Sequence, residues 1–131
     1  MQKNTFLALY SVLEFAAQPA RQFSAGEIAG KYDVSPHHLA KVLARLRRAG
    51  LVSAARGAGG GYRFAGNPKR VTLLDVIGLF ERIGAGSAAR PARRRDLEQA
   101  LDRVLLEIDE TAKATFGSIT LETMLKLARK R

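Results

Sequence analysis

The run Arg56-Gly57-Ala58-Gly59-Gly60-Gly61 carries four glycines in six residues, and it narrows the folds open to this chain more than any other stretch. Glycine weakens the interior of a regular element by roughly 0.5–1 kcal/mol relative to alanine, so a run this dense is a turn. Short strand candidates flank it, Leu51-Val52-Ser53-Ala54-Ala55 before and Tyr62-Arg63-Phe64 after. Together they make a hairpin with a nearly bare tip. The hairpin follows a helix. Ser35 is its N-cap and Pro36 suits the first turn. Leu39, Val42, Leu43 and Leu46 then recur at the i, i+3, i+4, i+7 spacing of a buried face. Opposite them lie His37, Lys41, Ala44 and Arg48, with Arg45 at the edge, and Gly50 can adopt the left-handed conformation that ends a helix. A helix with a cationic outer face, followed by an arginine-flanked glycine hairpin, is the pattern of a winged helix. The helix suits a major groove, and the hairpin suits the adjacent backbone or minor groove.

The charge distribution agrees. Of the formal net charge of +10 over 131 residues, +8 falls in residues 1–70 (11 Lys and Arg against Glu14, Glu27 and Asp33) and +2 in residues 71–131. Such asymmetry marks the half that meets a polyanion. With no cysteine, disulfides and thiolate metal sites are excluded, which suits a cytoplasmic protein. No apolar run approaches the roughly 20 residues of a membrane helix. Glu14 and the lack of a cleavage-like site argue against a signal peptide.

Taken in order, residues 4–17 are apolar nearly all round, as in a helix buried on more than one side, by its own core and by a second subunit. Ser24 and Glu27 form a capping box for a short helix over 25–32, with Ile28, Ala29 and Tyr32 inward. Joined tightly to the basic helix, it completes a helix-turn-helix. Thr72 and Asp75 form a second box, opening a helix over 73–82 that closes the domain over the first helix. Residues 83–95, rich in Gly, Ala and Arg and containing Pro91, read as a loop. A helix over 93–115 keeps Leu97, Leu101, Val104, Leu105, Ile108 and Ala112 on one stripe, with Asp96, Glu98, Asp102, Arg103, Glu107, Asp109 and Glu110 on the other faces. At about 35 Å it is too long for so small a domain to cover, and an antiparallel pairing with the same helix of a second subunit is expected. Phe116-Gly117 should stop it, and Thr120 should cap a last helix. The expected architecture is mainly α: a winged helix-turn-helix DNA-binding domain with a small β-hairpin wing over 1–82, then a loop, a long C-terminal dimerisation helix and a final helix over 83–131.

These motifs, in this order, resemble the Rrf-two family of bacterial winged helix-turn-helix transcription regulators. The residues that carry the resemblance are Leu9-Tyr10-Ser11-Val12-Leu13, Ser24-Ala25-Gly26-Glu27-Ile28-Ala29, Val34 to Val42, Leu46 to Val52 and Thr72 to Ile77, with Ile119-Thr120-Leu121 near the end. The most specific is Arg56 to Phe64, which fits the family's R-G-x-G-G-[GA]-[YF]-x-L wing except for Phe64 at the last position. The resemblance spans nearly the whole chain. It implies a homodimer with two winged helices facing one operator, and it places His37-His38-Leu39 in the recognition helix. The family's sensors hold an iron–sulfur cluster on three cysteines in the loop before the dimerisation helix. Here that loop, 83–95, has Ala85, Ala88, Ala89 and Ala92 but no cysteine, so no ordinary cluster is expected. The chain is either a cluster-free member or a variant whose ligands became alanine.

Double-stranded DNA is therefore the expected partner. Ser35, Lys41, Arg45 and Arg48 suit phosphates or base edges, and His37 and His38 point toward the groove. Arg56 and Arg63 bracket the wing, where an arginine can enter a narrow A·T-rich minor groove. Gly57, Gly59 and Gly60 permit close approach to the sugar–phosphate chain, beside Tyr62. Adjacent histidines diverge by about 100° on a helix and have no third ligand nearby, so metal binding is not expected. No Lys-Ser/Thr follows the glycines, which disfavours a P-loop. No nucleophile motif supports an enzyme. The sequence names no small-molecule effector, though one could sit between the first helix, the 83–95 loop and the long helix. Two other readings stay open: a winged-helix module that docks an acidic protein, and a low-specificity architectural DNA binder.

Overall fold

The computed structural model describes residues 1–55, 60–81 and 96–129. In chain order the elements are α1 (Lys3–Ala17), α2 (Ala25–Lys31), α3 (Pro36–Arg48), β1 (Val52–Ala55), β2 (Gly61–Phe64), α4 (Leu73–Ile77), α5 (Asp96–Ser118) and α6 (Leu121–Arg129). The expected wing residues Arg56, Gly57 and Gly59, the loop 83–95 and the first residues expected of the long helix lie outside the described residues.

Helices begin where the short polar side chains predict. The Glu27 N–H donates to the Ser24 hydroxyl at 3.1 Å, and the Ser24 N–H donates back to the Glu27 carboxylate at 3.3 Å. Thr72 and Asp75 repeat the arrangement at 3.2 and 2.9 Å. Each box satisfies amide donors that a helix start leaves without intrahelical partners. Ser35 caps α3 by accepting from the His38 N–H at 3.1 Å. At its far end Gly50, with φ +81, sits in the left-handed region. Leu51 N–H reaches back to the Leu46 carbonyl and Gly50 N–H to Arg47, both at 3.0 Å, which is a Schellman closure.

Helix α1 lies at the centre, with α3, α4, α6 and β2 packed against it. Val12 and Phe15 of α1, Ile28 of α2, Leu39, Leu43 and Leu46 of α3, and Val76 of α4 are buried together. Leu121 of α6 belongs to the same core. It is tied in by Leu73 N–H to Ile119 O and Leu121 N–H to Val71 O, both at 2.9 Å. The last helix thus closes the core that the first helices build.

Two elements differ from expectation. Helix α4 stops at Ile77 rather than at 82. Beyond Gly78 the backbone tightens, with Leu79 N–H to Val76 O at 3.1 Å and Phe80 N–H to Ile77 O at 3.0 Å, the three-residue spacing of a 3₁₀ turn. Helix α5 continues through Phe116-Gly117 to Ser118. Gly117 serves packing there: a Cβ on it would lie 3.3 Å from a Leu74 methyl, so its bareness lets α5 approach α4. On the same helix, Asp102 lies off the apolar stripe yet is buried. Periodicity alone assigns it to a polar face, and only the packed fold shows that face covered at its position.

Candidate nucleic-acid interface

The buried stripe of α3 is Leu39, Val42, Leu43 and Leu46. This anchoring turns the opposite face outward. Ser35, His37, Lys41, Arg45 and Arg48 are all exposed on it or at its start. Two basic recesses flank the helix. One, about 320 Å³, is lined by Asn4, Lys41, Arg45, Arg48 and Phe80. The other, about 310 Å³, is lined by Ala44, Arg47, Arg48 and Tyr62, between the helix and the wing strands. Arg48 borders both. A convex cationic ridge with a cationic hollow on each side is suited to a groove and the phosphates of its two walls.

The structure distinguishes residues that the sequence groups together. Arg45 donates to the Leu79 carbonyl at 2.9 Å and its guanidinium lies 5.3 Å from the Phe80 ring centroid. It therefore braces α3 against the turn after α4. His37 is exposed, whereas His38 is half-buried with its Nε2 shielded from solvent and no hydrogen-bond partner among the described residues. His38 belongs to the underside of the ridge, so of the tandem pair only His37 faces freely outward.

Beside the ridge, β1 and β2 pair antiparallel from Val52↔Phe64 to Ala55↔Gly61. Arg63 is exposed on β2 and Tyr62 half-buried. A third segment joins them: Phe23 N–H donates to the Tyr62 carbonyl at 2.8 Å and Tyr62 N–H to Phe23 at 2.7 Å. Phe23 is itself buried, its ring edge-on to Phe15 at 5.3 Å. Where the hairpin tip passes into β2, Gly60 and Gly61 have φ of +57 and +140. A Cβ on Gly61 would stand 2.6 Å from the Phe23 carbonyl oxygen, so the bare residue is required.

Three contributors escape a reading of the sequence. Arg47 lines the wing-side hollow on the flank of α3 opposite Arg45, a position the helical wheel does provide. Gln22 donates from Nε2 to the Gly60 carbonyl at 2.5 Å, across 38 residues. Glu14 accepts from the Tyr32 hydroxyl at 2.6 Å and the Lys31 ammonium at 2.5 Å. That cluster pins the end of α2 to α1, just before Asp33 takes φ +54 in the turn that sets up α3. Burial would raise the Glu14 carboxyl, but those two hydrogen bonds and the Lys31 charge outweigh it and hold it below its ordinary value. Burial and the same carboxylate push the Tyr32 hydroxyl upward. No local motif signals the last two links, because each joins residues far apart in sequence.

The chain matches the family described as Rrf2, iron-dependent transcriptional regulator, over residues 1–127. An iron–sulfur cluster takes thiolate ligands, and this chain has no cysteine. Among the described residues no group of three or more His, Asp or Glu could hold a metal ion. The donor set does not fit an ordinary cluster. Over 127 residues the chain is 54% identical to the HTH-type transcriptional regulator BadM of Rhodopseudomonas palustris, covering 97% of this chain and 81% of that protein. It is 33% identical over 101 residues to the regulator CymR of Bacillus subtilis, covering 77% and 70%. The solved structure of CymR, the global cysteine regulator of B. subtilis, superposes with a TM-score of 0.77 at 28% identity, over 97% of this chain and 96% of that one. T. potens IscR follows with a TM-score of 0.75 at 27% identity, over 99% and 88%. These relatives are regulators rather than enzymes, and they share the fold that carries the cationic ridge and its hairpin. The chain belongs to the Rrf2 family of winged-helix, DNA-binding transcriptional regulators.

Proposed function

We propose that this regulator is a homodimeric repressor that binds an imperfect inverted repeat, working in the cytoplasm without an iron–sulfur cluster. The observation that carries the DNA part is the exposed cationic face of α3 between two basic recesses, with the wing strands beside it. Lys41 and Arg48 serve phosphates, Ser35 and His37 lie where the helix start meets base edges, and Arg56 and Arg63 serve the wing side. Gly57, Gly59 and Gly60 carry no side chain that would hinder its close approach.

Support for the dimer comes from α5. Leu97 is 85% exposed and Ile108 58%, and Leu101, Val104 and Leu105 are also exposed, with Ala112 half-buried. An apolar stripe this long, bare in a single chain, calls for a second copy. Phe6 and Tyr10 are likewise exposed on α1, stacked in series with Tyr32. Two α3 helices related by a two-fold axis would read half-sites about one helical turn or a multiple apart. Occupancy of a promoter operator then excludes polymerase.

The test is selection of bound fragments from a sheared bacterial genome at about 150 mM salt, with sedimentation of the free protein alongside. A shared inverted repeat and a dimer support the proposal. Recovery without a common motif points to an architectural binder, and an acidic protein partner with no DNA recovery points to an interaction module. Either result overturns the proposal.

A further inference from the structure

Gln22 lies outside both the recognition helix and the wing, yet it holds the residue where the wing tip passes into β2. Backbone pairing between the α1–α2 connection and β2 consists of the Phe23–Tyr62 bridge alone among the described residues. Two residues closer to the tip, the Gln22 side chain adds a second link, donating to the Gly60 carbonyl at 2.5 Å. Gly60 and Gly61 both have positive φ, and nothing lies within 4 Å of a Cβ built on Gly60. No side chain of Gly60 or Gly61 restrains the peptide between them, and glycine peptides reorient readily. Gln22 itself lies alongside β2. It is half-buried, and its Cγ lies 3.0 Å from where a Gly61 Cβ would be. On one side Arg21 pairs with Glu27 at 2.7 Å and lies over the Phe23 ring, and on the other Phe23 itself is in the core.

We infer that Gln22 is a positioning residue for DNA recognition: through the Gly60 carbonyl it sets the direction in which the wing backbone departs toward DNA. The inference rests on the proposed role of the wing, contact with the flanks of the operator. A carbonyl held by a half-buried amide has one orientation, whereas a freed one samples several, and each wrong orientation must be corrected on binding. The loss falls on contacts made by the wing and spares those made by α3.

The test uses the full-length protein and two duplexes that share the selected operator core and differ only in A·T-rich or G·C-rich flanks. Gln22→Met keeps the packing and removes the donor. Arg56→Ala removes the wing arginine, and Arg21→Met removes a neighbouring ion pair without touching Gly60. One neutral hydrogen bond corresponds to about a threefold to tenfold change in affinity. Gln22→Met should lose that much on A·T-rich flanks and little on G·C-rich ones, lowering the flank ratio as Arg56→Ala does. Arg21→Met should leave the ratio unchanged, and the double variant Gln22→Met/Arg56→Ala should bind no worse than Arg56→Ala alone. A ratio lost in Arg56→Ala but kept in Gln22→Met overturns the clamp alone. A ratio unchanged in both overturns the wing assignment and the inference with it.

Discussion

Replacing Gly61 with alanine isolates the energetic demand of the close approach between β2 and Phe23, because Gly60 beside it supplies an internal control. At Gly60, φ +57 is a left-handed conformation with open space around it, so alanine there costs about 1–2 kcal/mol of backbone strain. At Gly61, φ +140 is a conformation side chains rarely adopt, with strain of about 1–3 kcal/mol. The new methyl would also stand 2.6 Å from the Phe23 carbonyl oxygen, a backbone atom that cannot swing aside. Relief requires the Phe23–Tyr62 bridge to open, and its two hydrogen bonds contribute about 0.5–1.5 kcal/mol each. Gly61→Ala should therefore lose about 2 kcal/mol more than Gly60→Ala. With a urea dependence of about 1–3 kcal/mol per molar, its unfolding midpoint should lie on the order of 1 M below that of Gly60→Ala. Urea titration followed by circular dichroism, at matched protein concentrations, measures the difference. Coincident midpoints would refute the argument that close approach, rather than φ alone, requires glycine here.

Three further outcomes follow from the same geometry. The Glu14 carboxyl is held below its ordinary value of 4.5 by Lys31 and Tyr32, against burial. Its contribution is thus present above pH 4.5 and lost as pH falls through the lower folded value. Glu14→Gln should destabilise the protein near neutrality, and the gap between the two proteins should close in urea titrations run at falling pH. A gap independent of pH would show that the charge is not what stabilises. Lys41→Ala and Arg48→Ala should weaken binding to all duplexes and lower the slope of log K against log salt by about 0.9 for each phosphate no longer neutralised; an unchanged slope in anisotropy titrations would remove them from the phosphates. Leu105→Asp combined with Ile108→Asp should leave helix content intact but yield a monomer in sedimentation and abolish cooperative operator binding. A persistent dimer would shift the interface off α5.

Much of this fold is legible before any coordinates are known, for a physical reason. Capping boxes, Schellman closures and amphipathic periods are short-range devices, complete within a few residues. Ser24–Glu27, Thr72–Asp75, Ser35 and Gly50 therefore act as their sequence contexts predict, and Leu39, Val42, Leu43 and Leu46 are buried as their spacing requires. What escapes is set by partners distant in sequence. Gly117 reads as a stop signal, yet it admits Leu74 to α5. Asp102 falls off the apolar stripe of its helix, yet the fold covers it. Arg45, at the edge of the helical wheel, and Arg48, opposite the buried stripe, are grouped by the sequence as DNA-facing cations, and only the Leu79 carbonyl and the Phe80 ring show that Arg45 braces the fold. His37 and His38 part for a similar reason, since one face of α3 is packed and the other is not.

The pairing of the α1–α2 connection with β2 also bears on the order in which the molecule folds. Gln22 and Gly60 are 38 residues apart, and the chain between them contains the whole of α2 and α3. Closing such a loop in an unstructured chain costs entropy that one bridge does not repay. Once the two helices have condensed on α1, the same ends are already near one another. The bridge should thus form after the rate-limiting barrier, so that alterations at Gly61 accelerate unfolding and leave the folding rate nearly unchanged. Competence to grip DNA with the wing would then be the final property the nascent chain acquires.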